Sequence, residues 1–178
     1  ADVSAFDAGT QSLADGDGDG TYEATFDIGT APTAGDQSVT VTATDAVGTT
    51  DTVTTGPLTI DTTPPAVDRF EVSDRSVITI LGAASRYRID WSVSDAELAS
   101  TAVSVNRTDL GDNPQATFSG ATGSETYVDG GVFQIGGYGR VHEIRLVATD
   151  TAGNRRCVVV SDTADGDPDT PLGYSSCD

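Results

Sequence analysis

The sequence predicts an all-β protein made of two β-sandwich domains in tandem, the first of which lacks its initial strands. Three observations support this prediction. Apolar and polar residues alternate in short runs, as they do in half-buried strands. Gly, Asp and Thr separate these runs about every ten residues, and no segment shows an apolar period of 3.6 residues. One run recurs roughly 100 residues later, which is close to the length of one β-sandwich domain.

The repeat relates SVTVTATDAVGTTDTV (38–53) to EIRLVATDTAGNRRCV (143–158). The matching apolar positions are Val39 and Ile144, Val41 and Leu146, and Ala43 and Ala148. Both copies continue through Ala-Thr-Asp into a turn that contains glycine, and then into a second strand. Each domain is therefore expected to contain one hairpin of the same kind.

Two adjacent prolines, Pro64 and Pro65, mark the domain boundary, because proline cannot take part in a central strand. The charges divide at the same place, since the basic residues all follow the boundary. We predict a partial domain at 1–61, a Pro-Pro linker at 62–65, a complete domain at 66–161 and an acidic C-terminal tail at 162–178.

The first domain contains four or five predicted strands, within 2–9, 20–28, 38–45 and 51–61. If the repeat is in register, the strand that precedes the Asp-Gly run corresponds to the third strand of a sandwich. The first two strands then have no counterpart. Either the given sequence begins within this domain, or another chain supplies the missing strands, since an open sandwich exposes strand edges.

The second domain contains about seven predicted strands. They lie at 66–73, 86–95, 101–108, around Phe118, and at 126–135, 141–150 and 155–162. In the second of these, alternation places Tyr87, Ile89, Trp91 and Val93 on one face. We expect Trp91 at the centre of the core, because a buried indole contributes a large apolar area.

The chain is strongly acidic, with 28 acidic and 9 basic residues and a net charge of −19. All the basic residues are arginine. This charge excludes nucleic acid as a partner, because phosphate contacts need Lys and Arg. Direct membrane insertion is not expected, because no apolar run reaches roughly 18 residues. Self-repulsion destabilises such a chain unless salt screens it, which predicts a high-salt environment. The alternative is an ordinary acidic secreted domain.

Several stretches resemble the tandem immunoglobulin-like repeats of bacterial and archaeal surface proteins. DGTYEATFDI is one of these stretches, and VTVTATDAVGTTDTVTTGPLTIDTTPP contains the Ala-Thr-Asp-x-x-Gly hairpin and the Asp-x-Thr-x-Pro passage of such repeats. WSVSDAELASTAVSV is similar to their second-to-third strand passage. The resemblance covers most of the chain and implies immunoglobulin-like domains at an extracellular cell surface. With the Asp excess and the missing Lys, the chain resembles a haloarchaeal surface glycoprotein or adhesin.

These observations favour a non-enzymatic structural or assembly module of an extracellular haloarchaeal surface-layer or cell-wall glycoprotein. Its partners would be copies of itself or other surface proteins. One alternative is a subunit of an extracellular filament, pilus or virion spike, completed by a strand from a neighbouring chain. Another is an accessory domain of a secreted hydrolase. Catalysis is not expected, since the single histidine, His142, reads as structural and no nucleophile elbow or phosphate loop is present.

A calcium site is predicted in the acidic run near the N-terminus. Asp15, Asp17 and Asp19 have the spacing of positions 1, 3 and 5 in an EF-hand-type loop, and a glycine follows at position 6. Glu23 at position 9 is a further candidate ligand. Position 12 is Phe26 rather than the usual bidentate glutamate. The alternative is a solvated acidic turn.

A second calcium site is predicted at the domain junction. The start of the first strand and the loops after the second and sixth strands share one end of a sandwich. This topology would gather Asp61, Asp95 and Asp150 there. The alternative is that each aspartate caps its own turn. The acidic run at 165–169 repeats the aspartate spacing of the first loop, but Pro168 constrains its backbone.

Two covalent modifications are also predicted. In an extracellular chain, a disulfide between Cys157 and Cys177 would close a loop of roughly 20 residues and add about 3 kcal/mol of stability. The alternative is two free thiols. The sequence Asn-Arg-Thr makes Asn106 an acceptor for N-glycosylation. The alternative is an unmodified asparagine in a turn.

Overall fold

The chain is all-β, as predicted. The structure is a computed structural model that describes residues 1–78, 84–111, 113–129, 140–163 and 172–177. These residues form β-strands together with two short 3-10 helices. The chain divides into two compact units, Ala1–Thr62 and Thr63–Asp178, and the division falls within the predicted linker.

The first unit contains four short strands in two separate antiparallel pairs. The strands are β1 (Gly35–Gln37), β2 (Thr40–Thr44), β3 (Thr50–Thr54) and β4 (Leu58–Ile60). Strand β1 pairs with β4, and β2 pairs with β3. The described residues of this unit therefore contain two-stranded sheets rather than one larger sheet.

Two segments of the first unit that were predicted as strands have another structure. Within 2–9 the chain forms the 3-10 helix Ser4–Phe6, which ends at Asp7 in the left-handed conformation. Within 20–28 only Glu23 makes a bridge, to Ala14. The predictions were wrong because alternation describes a strand only where a neighbouring strand is available to pair with it.

The first unit buries little apolar surface. Val3 and Phe6 are the fully buried apolar side chains among its described residues. No residue of β2 or β3 is buried. The alternating positions of the repeat thus differ in burial between its copies, since the matching residues Ile144, Leu146 and Ala148 of the second unit are 0% exposed.

The second unit consists of two antiparallel sheets that enclose one core. Its strands are β5 (Ala66–Ile78), β6 (Ala84–Ser94), β7 (Leu98–Arg107), β8 (Ala116–Ser119), β9 (Thr122–Asp129), β10 (Val141–Asp150), β11 (Arg155–Thr163) and β12 (Tyr174–Ser176). One sheet has the order β5-β6-β9, and the other β12-β11-β10-β7-β8. Seven of the eight correspond to predicted strands. The part of predicted strand 126–135 beyond Asp129 lies outside the described residues.

The core of the second unit follows the predicted alternation. Tyr87, Ile89, Trp91 and Val93 are at most 5% exposed and contact apolar residues of β7 and β10. The indole N–H of Trp91 donates to the carbonyl of Gly120 at 2.8 Å. The prediction for Trp91 is therefore confirmed. Gly123 of β9 lies so close to this ring that a Cβ there would overlap it.

The C-terminal segment is not simply a tail outside the domain, which corrects the boundary at 161. Strand β11 extends to Thr163, and β12 adds an edge strand beside it. The Tyr174 hydroxyl accepts a hydrogen bond from the Val72 N–H at 3.1 Å, and its ring contacts Phe70. This segment thereby connects the two sheets. The acidic run 165–169 lies outside the described residues.

Candidate metal centre and buried polar network

The N-terminal acidic run folds into a loop that brings three carboxylates together. Oxygen atoms of Asp15, Asp17 and Asp19 lie within 4.8 Å of one another. The backbone N–H groups of Gly18 and Gly20 donate to the Asp15 carboxylate at 2.7 and 3.1 Å. Both glycines have a positive φ, which lets the chain wrap around Asp15 without a steric penalty.

One carboxylate of this loop is held in its ionised form by a local hydrogen bond. The Thr21 N–H donates to the Asp19 carboxylate at 2.7 Å and holds the pKa of that group below its usual range. Three exposed or partly exposed carboxylates that converge in this way offer oxygen ligands to a hard divalent cation. A solvated acidic turn without an ion has the same local geometry.

The other predicted ligand, Glu23, does not join this group of carboxylates. Its backbone exchanges two hydrogen bonds of 3.0 Å with Ala14. Phe26, at the position of the closing glutamate, packs against Phe6 with ring centroids 5.8 Å apart. The loop therefore offers three carboxylates and no bidentate ligand to complete a coordination shell.

We expect calcium to bind this loop weakly, with a dissociation constant of about 10⁻⁴ to 10⁻³ M, as in extracellular modules. Asp17→Asn should weaken binding because it removes one of the three converging charges. Calorimetric titration of calcium into the wild-type and Asp17→Asn proteins measures the difference in affinity. Asp27→Asn is the matched control, since Asp27 is exposed and outside the cluster. Equal affinity in both variants would contradict the site.

The Ala-Thr-Asp turns of the two repeat copies have the same hydrogen bonds. The Asp45 carboxylate accepts from the Thr49 N–H at 2.8 Å, and the Asp150 carboxylate accepts from the Asn154 N–H at 2.8 Å. A glycine of positive φ also donates from its N–H to each aspartate carbonyl, Gly48 in one copy and Gly153 in the other. Both aspartates therefore cap their own turns.

These caps lower the pKa of both carboxyls. For Asp45 the main cause is the hydrogen bond from the Thr49 backbone. Burial acts to raise the pKa of Asp150, but hydrogen bonds from the side chain and backbone of Asn154 outweigh it. Both groups are therefore ionised at neutral pH.

The turns that carry Asp95 and Asp150 lie side by side in the second unit. The Thr151 N–H donates to the Glu97 carbonyl at 2.8 Å. The Asp95 carboxylate accepts from the Glu97 N–H at 2.8 Å, so it too caps its own turn. Asp61 belongs to the first unit, directly after β4. A cation shared by all three stays a prediction.

The structure joins Cys157 and Cys177 in a disulfide. Cys157 is fully buried, and the Cys177 N–H donates to its carbonyl at 3.3 Å. The bond therefore fastens β12 to β11.

Asn106 lies in β7 opposite Glu143, and its Oδ1 is buried without a hydrogen-bond partner among the described atoms. Glycosylation of Asn106 stays a prediction.

A buried polar network connects the two sheets of the second unit. His142 of β10 is 0% exposed, and its Nε2 lies 2.9 Å from the Asp129 carboxylate of β9. Its Nδ1 lies 3.1 Å from the hydroxyl of Tyr87 in β6. Arg107 of β7 donates to Asp129 at 3.3 Å. His142 is thus enclosed in the core, where its polar contacts connect the two sheets.

A second buried contact crosses between the same two sheets. Arg75 of β5 and Asp162 of β11 form an ion pair of 2.9 Å, and their side chains are 9% and 8% exposed. Burial raises the pKa of Tyr87, and the neighbouring Asp162 carboxylate raises it further. No sequence pattern predicted this network.

Comparison with known proteins found no matching family model, curated protein or solved structure. The described residues contain no helix with the length and apolar character needed to cross a membrane. Support for a function therefore comes from the chain itself.

Proposed function

We propose that this chain is a non-enzymatic structural and assembly module of an extracellular haloarchaeal surface-layer or cell-wall glycoprotein. The observation that carries the proposal is the hairpin formed by β2 and β3, which has no buried residue. A two-stranded sheet is only marginally stable in water. Such a hairpin gains stability when another surface covers it, which is what an assembly module provides.

The two faces of this hairpin differ in chemistry. Cross-strand pairs place only threonines on one face, for example Thr42 opposite Thr52. The other face carries Val41 opposite Val53 and Ala43 opposite Asp51. We call these four residues the hairpin apolar face. Val53 is 65% exposed, so this face is available for contact.

Charge and architecture support the environment that we propose. The net charge of −19 and the absence of Lys suit a brine in which salt screens repulsion between carboxylates. The second unit has a two-sheet core and a disulfide, which persists in oxidising compartments. This architecture is consistent with the immunoglobulin-like sandwich that the sequence resemblance implies.

Salt dependence tests the environment. The melting temperature should rise as NaCl increases from about 0.1 M to about 3 M, because screening removes self-repulsion from the compact state. Thermal unfolding followed by circular dichroism in EDTA at fixed pH measures this effect without a contribution from calcium. Equal melting temperatures at both salt concentrations would contradict a brine-adapted protein.

A second candidate function, a filament, pilus or virion subunit, is favoured by the outer edge of β3. In the described part of the chain, β3 pairs only with β2. As an edge strand, β3 offers backbone N–H and C=O groups for addition of a strand from a neighbouring chain, although the Thr52 N–H already donates to the Asp51 carboxylate at 2.9 Å. Electron cryomicroscopy of assemblies would show main chain hydrogen-bonded to residues 50–54 in this case. Contact through the hairpin faces alone would exclude strand addition.

A further inference from the structure

The outer face of the five-stranded sheet carries little acidic charge. Cross-strand pairs place Ala102, Val147 and Val159 on this face, together with serines, threonines, Asn106 opposite Glu143, and the buried disulfide residue Cys157 opposite Val147. Glu143 is the acidic residue among its described members, and it binds Arg145 at 2.6 Å. In a chain with 28 acidic residues, a sheet face of this composition is suited to contact with another protein surface.

One arginine of this outer face has no acidic partner among the residues that the structure describes. Arg155 lies at the start of β11 opposite Thr149, is exposed, and forms no ion pair with the part of the chain that the structure describes. The outer face of the three-stranded sheet differs, because Glu71 and Asp90 bind Arg69 and Arg88 there. Arg155 is therefore a positive charge that can pair with an incoming carboxylate.

We propose that the hairpin apolar face of one copy packs on the outer face of the five-stranded sheet of a second copy, with Asp51 pairing to Arg155. The inference rests on the proposed function and names the surfaces that assemble. Charge complementarity indicates that the partner on this face is a second copy of the chain. The first 61 residues contain acidic residues and no basic one, whereas the nine arginines all follow them.

The two surfaces match in their apolar residues as well as in charge. Val41 and Val53 would cover Val147 and Val159, and sheets that pack face to face lie about 10 Å apart. In brine the Debye length falls to about 3 Å at 1 M, so only charges in direct contact interact. The apolar residues therefore supply most of the affinity, and the ion pair sets the register.

The contact joins two different surfaces, and every copy carries both. It is therefore heterologous, and repetition gives a ring or an open chain rather than a closed two-fold dimer. This geometry suits a lattice or stalk built from many copies.

Sedimentation velocity over a range of protein concentrations tests the contact. We expect the wild type to associate, and Arg155→Glu and Asp51→Arg each to weaken self-association by about tenfold or more, because each places like charges opposite one another. Arg156→Glu is the matched control. It makes the same charge change at the next residue, on the opposite face of β11, and should leave association unchanged.

A mixture of the Arg155→Glu and Asp51→Arg proteins should associate again, because each reversed surface then meets its complement. A monomeric wild type, an equal loss in Arg156→Glu, or no recovery in the mixture would overturn the contact. A loss in Arg155→Glu without one in Asp51→Arg would overturn it too. Near-ultraviolet circular dichroism confirms that each variant is folded. A monomeric protein whose stability still rises with NaCl would refute this contact and leave the proposed environment intact.

Discussion

Replacing Asp162 with asparagine should lower the free energy of unfolding of the second unit by about 3 to 5 kcal/mol, the range measured when one partner of a buried ion pair is removed. Asp162 and Arg75 are both less than 10% exposed and lie 2.9 Å apart. The variant therefore removes the charged partner at 2.9 Å from a guanidinium that is itself 9% exposed. Urea denaturation followed by the fluorescence of Trp91, which is buried in the same core, measures the loss.

Glu143→Gln provides the matched control for this prediction. It breaks the ion pair with Arg145 on the outer face, where the two side chains are 28% and 45% exposed. Exposed pairs of this kind contribute about 1 kcal/mol or less. A similar, small loss of unfolding free energy in both variants would show that the Arg75–Asp162 pair does not stabilise the contact between the sheets as its burial indicates.

The second unit should lose stability steeply at alkaline pH because of two buried tyrosines. Burial is the main cause that raises the pKa of Tyr87 and of Tyr127. The carboxylate of Asp129 raises both further. An unfolded tyrosine ionises near pH 10, whereas these two keep their protons in the folded state. Above about pH 10 the folded state therefore binds more protons than the unfolded state.

The sign of this effect follows from proton linkage. The stability that the two protonated tyrosines contribute is fully present below the pKa of an unfolded tyrosine. It is lost as the pH rises towards the higher pKa values of the folded state. Each tyrosine contributes a loss of about 1.4 kcal/mol per pH unit. Urea denaturation between about pH 10 and about pH 11.5 measures the slope, which Tyr87→Phe should reduce by about half.

Tyr22→Phe is the control for the tyrosine prediction, because Tyr22 is 65% exposed and belongs to the first unit. It should leave the alkaline slope unchanged. Tyr87→Phe also removes the hydroxyl that lies 3.1 Å from His142, so its stability at neutral pH should fall as well. An unchanged slope in Tyr87→Phe would mean that Tyr87 ionises in the folded state like an exposed tyrosine.

Local patterns predicted the features that depend on neighbouring residues in the sequence. The turns at Asp45 and Asp150 use hydrogen bonds that span only four residues, so the repeated Ala-Thr-Asp-x-x-Gly pattern was sufficient to predict them. The acidic loop is similar, since its backbone donors lie within five residues of Asp15. Trp91 was placed correctly because alternation assigns a side chain to a face before its partners are known.

The buried polar network was missed although a signal for it was present. His142 stands two residues before Ile144, and Asp162 stands two residues after Val160, so alternation puts both polar side chains on the inner face. A polar residue on an inner face needs a buried partner. The partners, Asp129 and Arg75, lie on other strands, and no local pattern connects them.

By itself, the sequence determined the all-β class, the repeated hairpin, the position of the division and the inner face of the second unit, because alternation and turn chemistry act over a few residues. Only the tertiary structure decided which alternating runs are buried. Val41 of the first unit remains partly exposed, whereas Leu146 of the second is fully buried. It also decided that β12 joins the five-stranded sheet and that the segment 20–28 forms no strand. The reason is the same in each case: a strand and its buried face exist only where another segment supplies hydrogen bonds and a covering layer.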